Sequence, residues 1–456
     1  MRFAFYVTLL VACVPVILTR PFFGLCIYYV VSLMQPKVLC WQPDFQDSMI
    51  VGVPLVFSAL GVGVRRVEIE PNVNPVTGRV VGFHRAWART PLIEQSLLLV
   101  LLALLLAYIG LTRYAGAFPA ELTTADFSRL LKMSLVTALL TGLASDARRF
   151  RVLYVVVALS VGFWAIKGGL NVFLIGPHRV YGRNYDNNFF ALTSAMVLPM
   201  VFNFGLSLKR ARLRGLFLVF SVLICVGIIG SQSRAGFVAM LVVLAAMAWT
   251  SRHRFKALTG VALLAIVAGV VLGPEIRDRV DSIVHYEQDR SARSRFVTWD
   301  TAFALLSRNP VIGVGFANYE RAAQKLSESR KAAHNIWLST LAELGLAGYP
   351  LYVMLLIGTM LLAFRVMRFG RRGPPELRWS YYCARGLLLG LLAYAIHGFF
   401  HNEEFLDLTF AMIGMVIALR ATVSREIRAE RLIRAARSNP LAPAASVFER
   451  LTAPAS

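Results

Sequence analysis

With 456 residues, 57% of them hydrophobic, and a mean hydropathy of +0.61, this chain lacks the polar surface that a soluble protein of its size requires. Its formal charge of +23 would suit a nucleic-acid binder, yet the basic residues form no single domain and fall in short clusters between apolar runs, as topology signals do. No nucleic-acid partner is expected. The cysteines Cys13, Cys26, Cys40, Cys225 and Cys383 lie in or beside apolar runs, without metal-ligand or disulfide spacing, and read as small buried apolar residues.

A spanning helix needs about 20 mostly apolar residues. In chain order the candidates are 3–19, 21–36, 49–64, 92–112, 127–144, 152–170, 188–206, 214–231, 234–250, 256–273, 337–364, 382–400 and 405–421. The first two are short and share a tight turn. The pattern predicts an all-α polytopic integral membrane protein of about 12–13 transmembrane helices, because lipid forces backbone groups to pair internally. The first run imitates a signal peptide, but Ile17-Leu18-Thr19-Arg20-Pro21 is a poor cleavage site and a second apolar run follows, so a retained helix is expected. The organisation reads as N-terminal helices over 1–273, a loop region over 274–336, C-terminal helices over 337–421 and a tail over 422–456. The Pro/Ala-rich end, 438–456, reads as disordered.

Basic clusters set the expected orientation. Arg148, Arg149 and Arg151, the run Lys209 to Arg214, the run Arg252 to Lys256, Arg365 through Arg372 and the tail Arg420 to Arg437 all fall at alternate ends of successive spans. By the positive-inside rule these ends, and the C-terminus, are cytoplasmic. Segments 37–48, 113–126, 171–187 and 274–336 then face outward. The last differs in kind: it holds ten Lys/Arg against eight Asp/Glu, with amphipathic stretches at Thr298–Leu306 and Tyr319–Leu326. A long loop with structure of its own usually has a task.

Several residues break these rules. Gly230-Ser231-Gln232-Ser233-Arg234-Ala235-Gly236 reads as the turn of a helical hairpin, and it puts Arg234 at the outer face, against the charge bias. A snorkelling residue would explain it; a guanidinium fork for phosphate or carboxylate explains it better. His334 precedes Asn335, a good helix cap, where the next span begins. The positive end of a helix dipole favours neutral imidazole there, which suits a general base. Arg290, Arg293 and Arg295 crowd one stretch of the long loop, and Arg179 and Arg183 lie in an aromatic, polar stretch before a span. With Lys167 these residues line the outer side with positive charge, which implies an anionic partner.

The order Ser294-Arg295-x-x-x-Trp299, then Asn309-Pro310-Val311-Ile312-Gly313-Val314-Gly315-Phe316, then Ala333-His334-Asn335 leading to Leu341-Ala342-Glu343-Leu344-Gly345-Leu346-Ala347-Gly348, resembles the O-antigen ligase/polymerase superfamily of bacterial inner-membrane glycosyltransferases. The resemblance covers roughly 188–420. Ser32-Leu33-Met34-Gln35-Pro36, after two short spans, looks like the exosortase-associated O-glycosylation ligase branch. The resemblance implies a GT-C-like enzyme that uses no metal or other cofactor and transfers with inversion at the periplasmic face. Its donor would be a glycan on undecaprenyl diphosphate, and its acceptor a hydroxyl on lipid A–core sugar or on protein. His334 matches the catalytic histidine, Arg234 the diphosphate arginine and Arg295 the loop arginine; Arg183 is a looser match, and Arg290 and Arg293 join the anion-binding set. A lateral opening between spans would admit the lipid tail.

Alternatives remain at this stage. A polymerase or a protein O-oligosaccharyltransferase would differ only in acceptor. A flippase could use a basic cavity but would not need a folded outer loop ending in His-Asn. A metal-dependent glycosyltransferase would want an acidic pair in the first outer loop, for which Asp44 and Asp47 are the candidates.

Overall fold

The computed structural model describes residues 1–41, 45–73, 80–115, 118–176, 180, 186–251, 254–271, 290–327 and 332–438. Each of the thirteen candidate spans is a helix. The first ten are α1 (Arg2–Thr19), α2 (Pro21–Tyr29), α3 (Asp47–Val62), α4 (Leu97–Ala115), α5 (Thr124–Leu143), α6 (Ala147–Ile175), α7 (Asn187–Ser207), α8 (Ala211–Gly230), α9 (Arg234–Trp249) and α10 (Arg254–Val271). The long loop supplies α11 (Arg290–Arg308) and α12 (Tyr319–Ser327); α13 (Ile336–Arg372), α14 (Arg378–His397) and α15 (Asp407–Ser438) complete the order. Among the described residues, eight helices are long and apolar enough to cross a membrane, and three shorter ones, Pro21–Met34, α3 and α9, are apolar. The chain is a multi-pass membrane protein.

One element departs from the all-helical expectation. β1 (Val64–Val73) pairs antiparallel with β2 (Val80–Thr90), from Val64 opposite Thr90 to Val73 opposite Val80. The sequence of both strands is rich in β-branched residues. A window tuned to long apolar runs passes over it.

α7 is the hub of the bundle. Every residue from Phe189 to Val201 is buried, the pattern of a helix enclosed on all sides. It packs against α6, α8, α9 and α14. Where α6 meets α8 the backbones nearly touch: a Cβ on Gly169 would lie 2.0 Å from the Leu223 carbonyl oxygen, and one on Gly227 2.6 Å from that of Ala165. Small residues at such crossings let membrane helices gain contact without a hydrophobic drive. The basic clusters collect at the end where α7 and α9 finish and α8 and α10 begin. On the α6 side of that end, Arg425 of α15 pairs with Glu94 and donates to the Ser145 carbonyl at 2.9 Å.

The break in α13 organises the opposite end. At Gly345 (φ 63°, ψ −173°) the helix stops and restarts. The segment before α12 takes up the backbone groups that the break releases. Val314 and Gly315 donate to the carbonyls of Ala342 (2.9 Å) and Glu343 (3.0 Å), while Leu346 and Ala347 donate to those of Pro310 (2.9 Å) and Val311 (3.1 Å). The Asn309–Phe316 and Leu341–Gly348 motifs are thus two halves of one clasp. Unpaired backbone groups are costly beside lipid, so the halves need each other. From Leu346 to Arg365 the helix runs roughly 20 residues, about 30 Å, one hydrocarbon thickness.

Only glycine suits position 345. Its φ is positive, and a Cβ would lie 2.3 Å from the Val311 carbonyl oxygen. Gly345→Val should cost at least about 1–3 kcal/mol from backbone strain alone. Thermal unfolding of the purified protein in detergent should show a clearly lower Tm; an unchanged Tm would mean that the clasp does not hold this region.

Candidate active site

Three helices begin together at the end away from the basic clusters, and each carries its own cap. Asp186 accepts from the amides of Asn188 (2.7 Å) and Phe189 (2.8 Å) at the start of α7. Ser233 accepts from Gly236 (3.2 Å) at the start of α9. Asn335 accepts from Trp337 (3.0 Å) and Leu338 (3.2 Å) at the start of α13. Caps of these types satisfy amides that no helical carbonyl reaches. The positive ends of three dipoles therefore face one region, an arrangement suited to an anion.

Side-chain bonds join two of these starts, those of α7 and α9. Ser233 Oγ donates to Asn188 Oδ1 at 2.7 Å, and Asn187 Nδ2 donates to the Ser231 carbonyl at 3.0 Å, so the α8–α9 turn is sewn to α7. Gly236 permits the approach: a Cβ there would lie 2.3 Å from Ala191 Cβ. The turn expected from Gly230 to Gly236 is present, and Arg234 is the first residue of α9, with its side chain exposed. A cation at a helix N-terminus opposes the dipole, so its placement is locally unfavourable and an anion would relieve it.

His334 sits two residues before α13, exposed between buried Ala333 and Asn335, in a left-handed conformation (φ 49°) that non-glycine residues seldom adopt. α11 and α12 hold that conformation in place. Thr298 Oγ1 donates to the Ala333 carbonyl at 3.3 Å, and Tyr319 hydroxyl donates to the Thr298 carbonyl at 2.5 Å. Glu343 accepts from the amides of Ala317 (2.9 Å) and Tyr319 (3.0 Å), so the broken helix also fixes the start of α12.

The loop between α14 and α15 links the two poles. His401, 6% exposed, packs edge-on against Phe189 of α7 at 6.4 Å and against His397 at 5.5 Å. Burial pushes its imidazole down to about 4; the Asp186 carboxylate opposes the shift and neighbouring His334 adds to it. Three residues on, the Glu404 carboxyl accepts from Ser339 on the first turns of α13, while its carbonyl accepts from Tyr352 (3.1 Å) and Tyr394 (2.7 Å). Burial, with Glu343 and Glu403 nearby, raises that carboxyl well above the ordinary range.

The other expected site residues divide. Arg290, Arg293 and Arg295 lie on the first turns of α11, and Arg295 comes three residues before Thr298, whose hydroxyl bonds the Ala333 carbonyl. Arg183 and Arg179 fall outside the described residues. Of the segment that holds them, Val180 donates to the Gly230 carbonyl at 3.1 Å and Asp186 caps α7. Lys167 lies over the Trp164 ring at 5.1 Å, on a turn of α6. Of the acidic pair, Asp44 is outside the described residues. Asp47 is buried, accepts from Tyr6 hydroxyl at 2.7 Å and lies 3.8 Å from Lys37, so it joins α1 to α3.

The sequence pattern singled out neither His401 nor Glu404, and it gave Asp186, Asn188 and Glu343 no separate role within the segments that hold them. Two signals were available: Glu343 is a carboxylate within a spanning helix, and His401-Asn402-Glu403-Glu404 is a polar run between two spans. The His401 shift has a measurable consequence. An unfolded histidine titrates near 6.5, so between about 6.5 and 4 the unfolded chain takes up a proton that folded His401 refuses, and stability falls as pH falls through that window. Relative to His401→Gln, wild type should lose Tm as pH drops from 7 to 4.5; a pH-independent difference would contradict the buried neutral imidazole.

Residues 219–353 match the family model described as O-antigen ligase. That span runs from within α8 to within α13 and contains Arg234, the α11 arginines, His334 and both halves of the clasp. No curated protein matches the chain. Over this span, less than a third of its length, the chain is similar to the O-antigen ligase family.

Proposed function

We propose that this protein is an O-antigen ligase-type glycosyltransferase, taking a glycan from undecaprenyl diphosphate and delivering it to an acceptor hydroxyl, a sugar of lipid A–core, at the periplasmic face of the inner membrane. One observation carries the reading: an arginine at a helix N-terminus and a strained, exposed histidine belong to the same end of the bundle, beside three capped helix starts. The charge pattern supports the outward orientation, since the Lys/Arg clusters occupy the other end.

The chemistry asks for little else. His334 takes the proton from the acceptor hydroxyl as its oxygen attacks the anomeric carbon. The bond from that carbon to the diphosphate oxygen breaks, and the configuration inverts. Undecaprenyl diphosphate leaves with its negative charge met by Arg234, by Arg295, Arg183, Arg293 and Arg290, and by the starts of α7 and α9. Neutral His401, beside His334, leaves room for a single imidazolium at the site. The lipid tail remains in the bilayer and enters between spans.

Purified protein, given an undecaprenyl-diphosphate glycan with lipid A–core and a protein acceptor in separate tubes, should label lipid A–core. Labelling of protein would reassign the acceptor, and elongation of the lipid-linked glycan would indicate a polymerase. His334→Ala should abolish transfer while the protein still inserts and purifies normally; full activity would remove the general base. Arg234→Ala should cost on the order of 10²–10³ in rate. Arg234→Lys should recover only part, because an ammonium cannot form the bidentate fork. Added chelator should leave the rate unchanged; strong inhibition would favour a metal-dependent route.

A further inference from the structure

At the other end of the bundle, α7, α8, α9, α10 and α14 line a half-open cavity of about 720 Å³. That volume falls within the range of small-molecule sites. Its walls are apolar, with Phe202, Val222, Leu244 and Val261 among them, and α9 contributes its C-terminal residues, the end remote from Arg234. α10 packs chiefly on α9, which leaves this wall of the cavity on the lipid side.

Arg385 of α14 also lines the cavity. It is 6% exposed, and its terminal nitrogens donate to neutral acceptors: Asn203 Oδ1 at 3.1 Å, the Met247 carbonyl at 2.7 Å and the Thr250 hydroxyl. The Met247 bond ties down the last turn of α9, whose dipole favours a cation. Nε is buried with no hydrogen-bond partner. No carboxylate can come from the walls: the sequence has no Asp or Glu between Asp186 and Glu275, and α14 has none. Lys209, Arg210, Arg212 and Arg214 open α8, and Arg254 and Lys256 open α10. A charged side chain within a spanning helix ordinarily has a partner, and here these five helices offer no anionic one.

We propose that the cavity binds an anionic phospholipid, with an acyl chain between α8 and α10 and the phosphate directed to Arg385. A zwitterionic lipid brings its own cation and would compete poorly for an apolar site whose one charged lining residue is Arg385. The site is separate from the glycan chemistry and does not depend on it.

The test uses full-length protein in nanodiscs of equal parts phosphatidylglycerol and phosphatidylcholine, with retained lipid read by native mass spectrometry. Wild type should retain one phosphatidylglycerol, favoured over phosphatidylcholine by roughly fivefold, the effect of one basic side chain at a membrane surface. Gly260→Phe should lose the lipid: position 260 lines the cavity, and a Cβ there meets nothing within 4 Å, so the ring fills space without disturbing Arg385. Arg385→Gln should keep a lipid and lose the preference. Equal retention of both lipids by wild type, or undiminished retention by Gly260→Phe, would overturn the proposal. So would displacement by added polyprenyl phosphate ahead of phosphatidylglycerol, which would make the cavity a donor-chain site. Gly260→Phe keeps the test decisive if Arg385→Gln fails to fold.

Discussion

The first amides of a helix have no carbonyl to bond, and the end of this bundle opposite the basic clusters is built on how that shortage is met at three neighbouring starts. Asp186, Ser233 and Asn335 each satisfy amides of their own helix, and Asn188 then bonds Ser233 across the gap between two of them. With the caps in place, remaining N–H groups and three dipoles converge without an opposing carboxylate other than Asp186 among the capping groups. The same arrangement that stabilises the fold is suited to the charged ligand proposed above. Arg234 belongs to this logic, because a guanidinium at a helix start gains once an anion is present and loses otherwise.

Convergence alone would leave His334 on a loose loop. The interruption of α13 prevents that. The turn segment 310–315 fills the gap at Gly345, Glu343 fixes the residues that follow it, and α11 returns to hold Ala333 through Thr298. A helix that ran unbroken would have no free carbonyls at Ala342 and Glu343, and the loop would have nowhere to dock. Trp337 and Tyr352 both reach residues 394–395 of α14, so the short first piece of α13 folds back over the bundle instead of rising from it. His334 is consequently held at the end of the bundle where α7 and α9 begin.

The spans were legible because a helix in lipid must be long and apolar, and each of the thirteen windows became a helix. Arg234 and His334 were legible as violations: one of charge bias, the other an ionisable group at a cap. The roles of Glu343 and His401 were not. Glu343 looks like an isolated charge in a spanning helix until the break at Gly345 supplies its amide partners. His401 acquires meaning from Phe189, more than 200 positions earlier, and from Asp186 and His334. Such contacts join residues far apart in the chain, which periodicity and local motifs do not encode. The hairpin at 64–90 escaped for another reason: its signal has a period of two residues, and the search for membrane spans follows length and hydropathy.

Reaction and fold meet in one claim, that the anion-binding pole and the base lie together around the starts of α7, α9 and α13. Photo-crosslinking tests it most directly, using a diazirine-bearing polyprenyl diphosphate, the reconstituted full-length protein and peptide mapping. Adducts should fall on peptides containing residues 186–188, 231–236 and 332–337. Adducts concentrated on 209–214, 252–256 or 365–372, at the opposite end, would contradict the account.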